Sequence, residues 1–116
     1  SHLKTLKIKL QKKSEAICHA LDKYFGSSAE YQKPDGGIFV WVDMHKKVDT
    51  FRLYELALKN GVAINPGNEW SINKSGRHKM RLCFGNPSIK EIDEGIKRLA
   101  IICRKEFGIP TNIANL

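Results

Sequence analysis

An arginine set inside an apolar strand constrains this chain more than any other feature. In Lys79-Met80-Arg81-Leu82-Cys83-Phe84-Gly85, the apolar Met80, Leu82 and Phe84 alternate with Arg81 and Cys83. An extended backbone sends successive side chains to opposite faces. The segment therefore reads as a half-buried strand, apolar on one face and carrying Arg81 on the other. A guanidinium in such a place requires water or an anionic partner. Two partners are open. One is a local acid, with Asp43 and Glu69 as candidates, in a structural ion pair. The other is an external carboxylate or phosphate, which arginine's planar fork grips with two parallel hydrogen bonds.

The rest of the chain reads as a scaffold for that strand. Leu3, Leu6, Leu10, Ile17, Leu21 and Tyr24 recur at steps of three, four or seven, the stripe of an amphipathic helix. Gly26-Ser27-Ser28 ends it. At 1.5 Å per residue this helix is about 34 Å long, more than a small domain requires, so its first half is expected to pack on something outside the chain. Tyr31 to Gly37 holds Pro34 and the pair Gly36-Gly37 and reads as a turn. No G-x-x-x-x-G-K pattern accompanies those glycines, so turn chemistry is preferred over a phosphate loop. Ile38 to Asp43 is apolar on both faces and reads as a central strand. Asp49 caps a helix over Thr50 to Lys59, closed by Asn60-Gly61. Val62-Ala63-Ile64 is a short strand ending at a turn over Asn65 to Asn68, and Glu69-Trp70-Ser71 a brief extended piece. Asn73 to His78 is a polar loop, and Asn86-Pro87 stops the Arg81 strand. Ser88-Ile89-Lys90-Glu91 is a capping box. It opens a last helix with Ile89, Ile92, Ile96, Leu99 and Cys103 as its buried stripe, running to Phe107 before Gly108. The tail from Ile109 has no period and is expected to fray or dock loosely. The expected fold is α+β, one domain over residues 1–116 with a small, mostly antiparallel sheet covered by helices.

Several functions lose support at this level. No apolar run reaches the ~20 residues that span a bilayer, and no secretory signal opens the chain. The expected compartment is the cytoplasm, with Cys18, Cys83 and Cys103 as buried reduced thiols. The net charge of +8 suits nucleic acid, but the lysines spread over helix faces and read better as a solvated surface. A stand-alone DNA-binding module would show steeply salt-dependent duplex binding. Ser71-Ile72-Asn73-Lys74 has the S-x-x-K spacing of serine acyl-enzymes but falls in a polar loop, not at the start of a buried helix. Asn73-Lys74-Ser75 is formally a glycosylation sequon. His2, His19, His45 and His78 lack paired ligand spacing, so no metal is assigned. Trp41 and Trp70 could line a site, with core packing the blander reading for Trp41.

Four segments together resemble class I/II aminotransferases. Tyr31 to Trp41 resembles their P-x-G-G-x-F-x-W segment, and Val62-Ala63-Ile64-Asn65-Pro66-Gly67 their G-V-x-x-x-P-G stretch. Met80 to Phe84 resembles their x-R-L-x-F strand, and Glu94 to Leu99 their E-G-I-x-R-L helix. The order and spacing match the C-terminal small domain of the family, nearest to 2-aminoadipate-type aminotransferases and to MocR/GntR-type regulators. The resemblance implies that Arg81 binds the α-carboxylate of an amino-acid substrate. It implies a pyridoxal 5'-phosphate cofactor in a larger, homodimeric parent, whose large domain holds the cofactor lysine. It assigns no catalytic, cofactor-binding or metal residue to these 116 residues, which alone should neither bind the cofactor specifically nor transaminate. The segment over residues 2–25 becomes the connecting helix. Amino acids and 2-oxo acids are the implied partners, with DNA only if a winged helix precedes the domain.

Overall fold

The computed structural model describes residues 2–34, 37–59, 64–66 and 78–112. Helix α1 spans His2–Tyr24, β1 Ala29–Tyr31, β2 Phe39–Met44, α2 Thr50–Lys59, β3 Asn65–Pro66, β4 Lys79–Cys83 and α3 Ile89–Phe107. The strands form one sheet in the order β1-β2-β4-β3, every neighbouring pair antiparallel. The α+β expectation therefore holds.

The core lies between one face of this sheet and the helices. β2 contributes Val40, Val42 and Met44, and β4 contributes Met80 and Leu82, with Phe84 just beyond it. They meet Ile17, Leu21 and Tyr24 of α1, Leu53 and Ala57 of α2, and Ile92, Ile96, Leu99 and Cys103 of α3. α1 packs chiefly on α3, and the Tyr24 hydroxyl donates to Asp93 at 2.8 Å across that seam. The first half of α1 reaches past the core: Leu3 is 71% exposed, and Leu6 and Ile8 are also exposed.

Local signals set most boundaries. Gly26 has φ 55°, a backbone that favours glycine, and turns the chain out of α1. Asp49 Oδ1 accepts from the Phe51 amide at 3.0 Å at the start of α2. Ser88 Oγ accepts from the Glu91 amide at 3.1 Å, and Glu91 Oε1 accepts from the Ser88 amide at 2.9 Å, completing the capping box of α3. Those bonds hold the Glu91 carboxyl below its ordinary range. A carboxyl depressed on folding stabilises above its unfolded pKa, and the benefit is lost as pH falls through the folded value. Ser88→Ala is expected to cost about 1 kcal/mol in urea unfolding at neutral pH. The difference from wild type should shrink in acid as Glu91 becomes protonated.

Five expectations need correction. Tyr31 belongs to a strand, since β1 pairs Tyr31 with Val42 and Glu30 with Asp43; Asp35-Gly36 of the expected turn lie outside the described residues. Asn65–Pro66, expected to open a turn, is instead strand β3, paired opposite Arg81 and Met80. Proline is admissible there because β3 is an edge strand. β2 is buried on one face only: Phe39 and Trp41 are exposed, Trp41 by 52%, so Trp41 is not a core residue. Ile89 is exposed, one turn ahead of the buried stripe. The tail over 109–112 docks firmly: Ile109 is buried, the Asn112 amide donates to the Tyr24 carbonyl at 3.0 Å, and Ser28 Oγ donates to the Pro110 carbonyl. The Asn60-Gly61 stop, Val62-Ala63, the Glu69-Trp70-Ser71 piece, the loop over 73–77 and residues 113–116 lie outside the described residues.

Candidate functional site

The side of the sheet away from the helices carries the candidate site. β4 is an interior strand, hydrogen-bonded to β2 on one side and β3 on the other. Its alternation points Met80 and Leu82 into the core and leaves Lys79, Arg81 and Cys83 on the open face. The pairing places Arg81 directly opposite Trp41 and Asn65, Cys83 opposite Phe39, and Lys79 opposite Asp43.

Arg81 is half-buried among these neighbours. Its guanidinium carbon lies 4.1 Å from the centroid of the Phe39 ring and 5.9 Å from that of Trp41. Guanidinium on an aromatic face is attractive, worth roughly 0.5–2 kcal/mol depending on how dry the contact is. It also restrains a long side chain that would otherwise sample many rotamers. Stacking uses the faces of the planar cation, whereas a carboxylate is bound in its plane, through both oxygens.

Asp43, a candidate ion-pair partner for Arg81, meets His78 instead, Nε2 to Oδ1 at 3.1 Å. Glu69, Trp70 and the Ser71–Lys74 spacing lie outside the described residues. His2 and His19 are exposed, and His45 and His78 are half-buried. Among the described residues no group of three or more potential ligands is placed to hold a metal ion. Cys18 and Cys103 are buried free thiols, and burial pushes Cys103 up to about 12 and raises Cys18 as well. Cys83 is only half-buried, because it shares the open face with Arg81.

The Phe39 contact was not anticipated from sequence. Its signal was present in the F-x-W spacing of Phe39 and Trp41, which puts both rings on one strand face. Identifying that face as Arg81's required the β2–β4 register. Beside Trp41, a shallow cavity of about 320 Å³ opens along β1 and β2, with Glu30, Asp43 and Lys79 in its wall. Arg81 lies outside that wall, and the chemistry of the face is better judged from Arg81 and its rings than from the depth of the hollow next to them.

Residues 1–99 match the family of aminotransferases of class I and II. The chain belongs to that family. An uncharacterized aminotransferase of Saccharolobus solfataricus is 37% identical over 97 residues, covering 84% of this chain and 24% of that protein. An uncharacterized HTH-type transcriptional regulator of Bacillus subtilis, YisV, is 32% identical over 104 residues, covering 90% of this chain and 21% of the regulator. The structure superposes on LysN, an α-aminoadipate aminotransferase of Thermus thermophilus solved with N-(5'-phosphopyridoxyl)-L-leucine. The TM-score is 0.74 with 31% identity, over 84% of this chain and 25% of LysN. The chain thus spans about a quarter of the length of these relatives.

Class I/II aminotransferases use pyridoxal phosphate, and the described residues of this chain do not suit the role of its lysine. Such a lysine needs a desolvated ammonium. The least exposed lysines here, Lys13, Lys23 and Lys97, are only half-buried. Lys13 donates to the Gly85 carbonyl at 3.1 Å, and Lys23 lies 4.0 Å from Asp93.

Proposed function

We propose that residues 1–116 are the C-terminal small domain of a cytoplasmic, homodimeric, pyridoxal-phosphate-dependent aminotransferase, and that Arg81 binds the α-carboxylate of its amino-acid and 2-oxo-acid substrates. The observation that carries the reading is the placement of Arg81: interior strand, open sheet face, guanidinium stacked on Phe39. The cofactor is held by the parent's large domain and supplies the electron sink for amino transfer when bound. The contribution of this chain is to bind and orient the acid, and to close over it as the small domain moves. α1 is the connector, with Leu3, Leu6 and Ile8 covered by the large domain.

A second reading has its own support, the similarity to an HTH-type transcriptional regulator over 90% of the chain. In that case the same face senses an amino acid or its cofactor adduct, and an attached winged helix binds DNA.

The test is a visible-spectrum titration of the longest natural protein carrying this chain, loaded with pyridoxal phosphate. Amino acids should shift the cofactor band at far lower concentration than the matching amines, which lack the carboxylate. Formation of 2-oxo acid assigns an enzyme; a band shift without turnover assigns a sensor. Absence of a cofactor band, or equal response to amines, would leave only the fold in common with the family.

A further inference from the structure

A second cavity, of about 510 Å³, lies between α1 and Lys33, Pro34 and Gly37, which follow β1. It is on the helix-covered side of the sheet, since Phe84 in its wall belongs to the buried face. Arg81 is on the opposite side, so this cavity is separate from the site described above. Its size falls in the range of small-molecule pockets. Leu10, Pro34 and Phe84 supply apolar wall, and Lys7 and Lys33 stand at the exposed margin. No acidic side chain occurs among its described lining residues.

Ser14, also in the wall, is 8% exposed, and its Oγ is buried with no hydrogen-bond partner. A serine inside a helix commonly returns its hydroxyl to the carbonyl four residues earlier; Ser14 does not. A buried hydroxyl left without a partner is unfavourable, and an acceptor oxygen entering the cavity would relieve it.

We propose that this cavity binds a small organic anion, an apolar body carrying a carboxylate or phosphate-monoester head. The body packs on Leu10, Pro34 and Phe84. The head takes the charge of Lys7 and Lys33 and accepts a hydrogen bond from Ser14 Oγ. Carboxylate and phosphate monoester share this recognition chemistry, and affinity separates them.

The experiment is an NMR titration of the longest natural protein carrying this chain, isotope-labelled, with 3-phenylpropionate, phenyl phosphate and neutral 3-phenylpropan-1-ol. Both anions should give saturable amide shifts centred on Lys7 to Ser14, Lys33 and Phe84, with the alcohol binding much more weakly. K7Q/K33Q should weaken the anions roughly tenfold, the sum of two partly exposed ion contacts. It should leave the alcohol unchanged. Both lysines are exposed, so the fold is retained. Ser14→Ala should weaken both anions several-fold without lowering the melting temperature. Tighter phenyl phosphate assigns a phosphate monoester, and tighter or equal 3-phenylpropionate a carboxylate. The proposal is overturned if the alcohol binds as well as the anions, if K7Q/K33Q binds like wild type, or if the shifts centre on Phe39, Trp41 and Arg81. None of these outcomes depends on cofactor binding or turnover.

Discussion

Arg81→Ala, in the longest natural protein carrying this chain, is expected to weaken the apparent affinity for an amino acid by roughly 10- to 150-fold. That range corresponds to losing a bidentate, charge-assisted contact of about 1.5–3 kcal/mol. Arg81→Lys should fall between the two, because an ammonium keeps the charge but not the planar fork. The same titration with an amine lacking the carboxylate separates recognition from damage. Its response should be weak in wild type and unchanged in both variants. If Arg81→Ala titrates like wild type while its melting temperature falls, Arg81 is a structural cation of the sheet.

The largest effect on stability is expected at Leu99. It has no exposed surface and belongs to the single core joining the sheet to the helices. Leu99→Ala removes buried methyl groups and leaves a void that close-packed neighbours fill only in part, a loss of about 2–5 kcal/mol. A domain of this size has roughly 5–15 kcal/mol in total, so the fraction lost is large. The unfolding entropy typical of such a chain converts it to a fall of roughly 8–20 °C in melting temperature. Ile101→Ala on the outer face of α3 is the control. Ile101 is 45% exposed, and its loss should stay within about 0.5 kcal/mol. Thermal melts of the two variants check the contrast, and equal losses would mean that the buried stripe of α3 carries no more of the packing than its outer face.

The helices were legible because their signals are local. The Asp49 cap, the Ser88–Glu91 box and Gly108 beyond Phe107 each act within one turn of the residues they bound. β4 was legible for a similar reason: alternation alone assigns Arg81 to the face opposite Met80 and Leu82. β1 was not. Ala29-Glu30-Tyr31 is too short to show a period, and its strand character comes from pairing with β2, which sequence does not display. Trp41 was misassigned because an apolar residue on a strand says nothing about whether its face is covered. β2 is apolar on both faces, yet only Val40, Val42 and Met44 meet the helices. At the site, Arg81 was found from sequence as a charge out of place. Its aromatic platform could not be, since Phe39 and Arg81 are 42 positions apart and are joined only by sheet pairing.

The alternation in β4 has a further consequence. Sliding β4 by one residue against its neighbours would turn Arg81 toward the helices and expel Leu82 to solvent. A one-residue slip therefore cannot keep the packed interior and misdirect the guanidinium. Against that slip the strand proofreads its own delivery of the arginine, because the error that turns the group inward also costs the core.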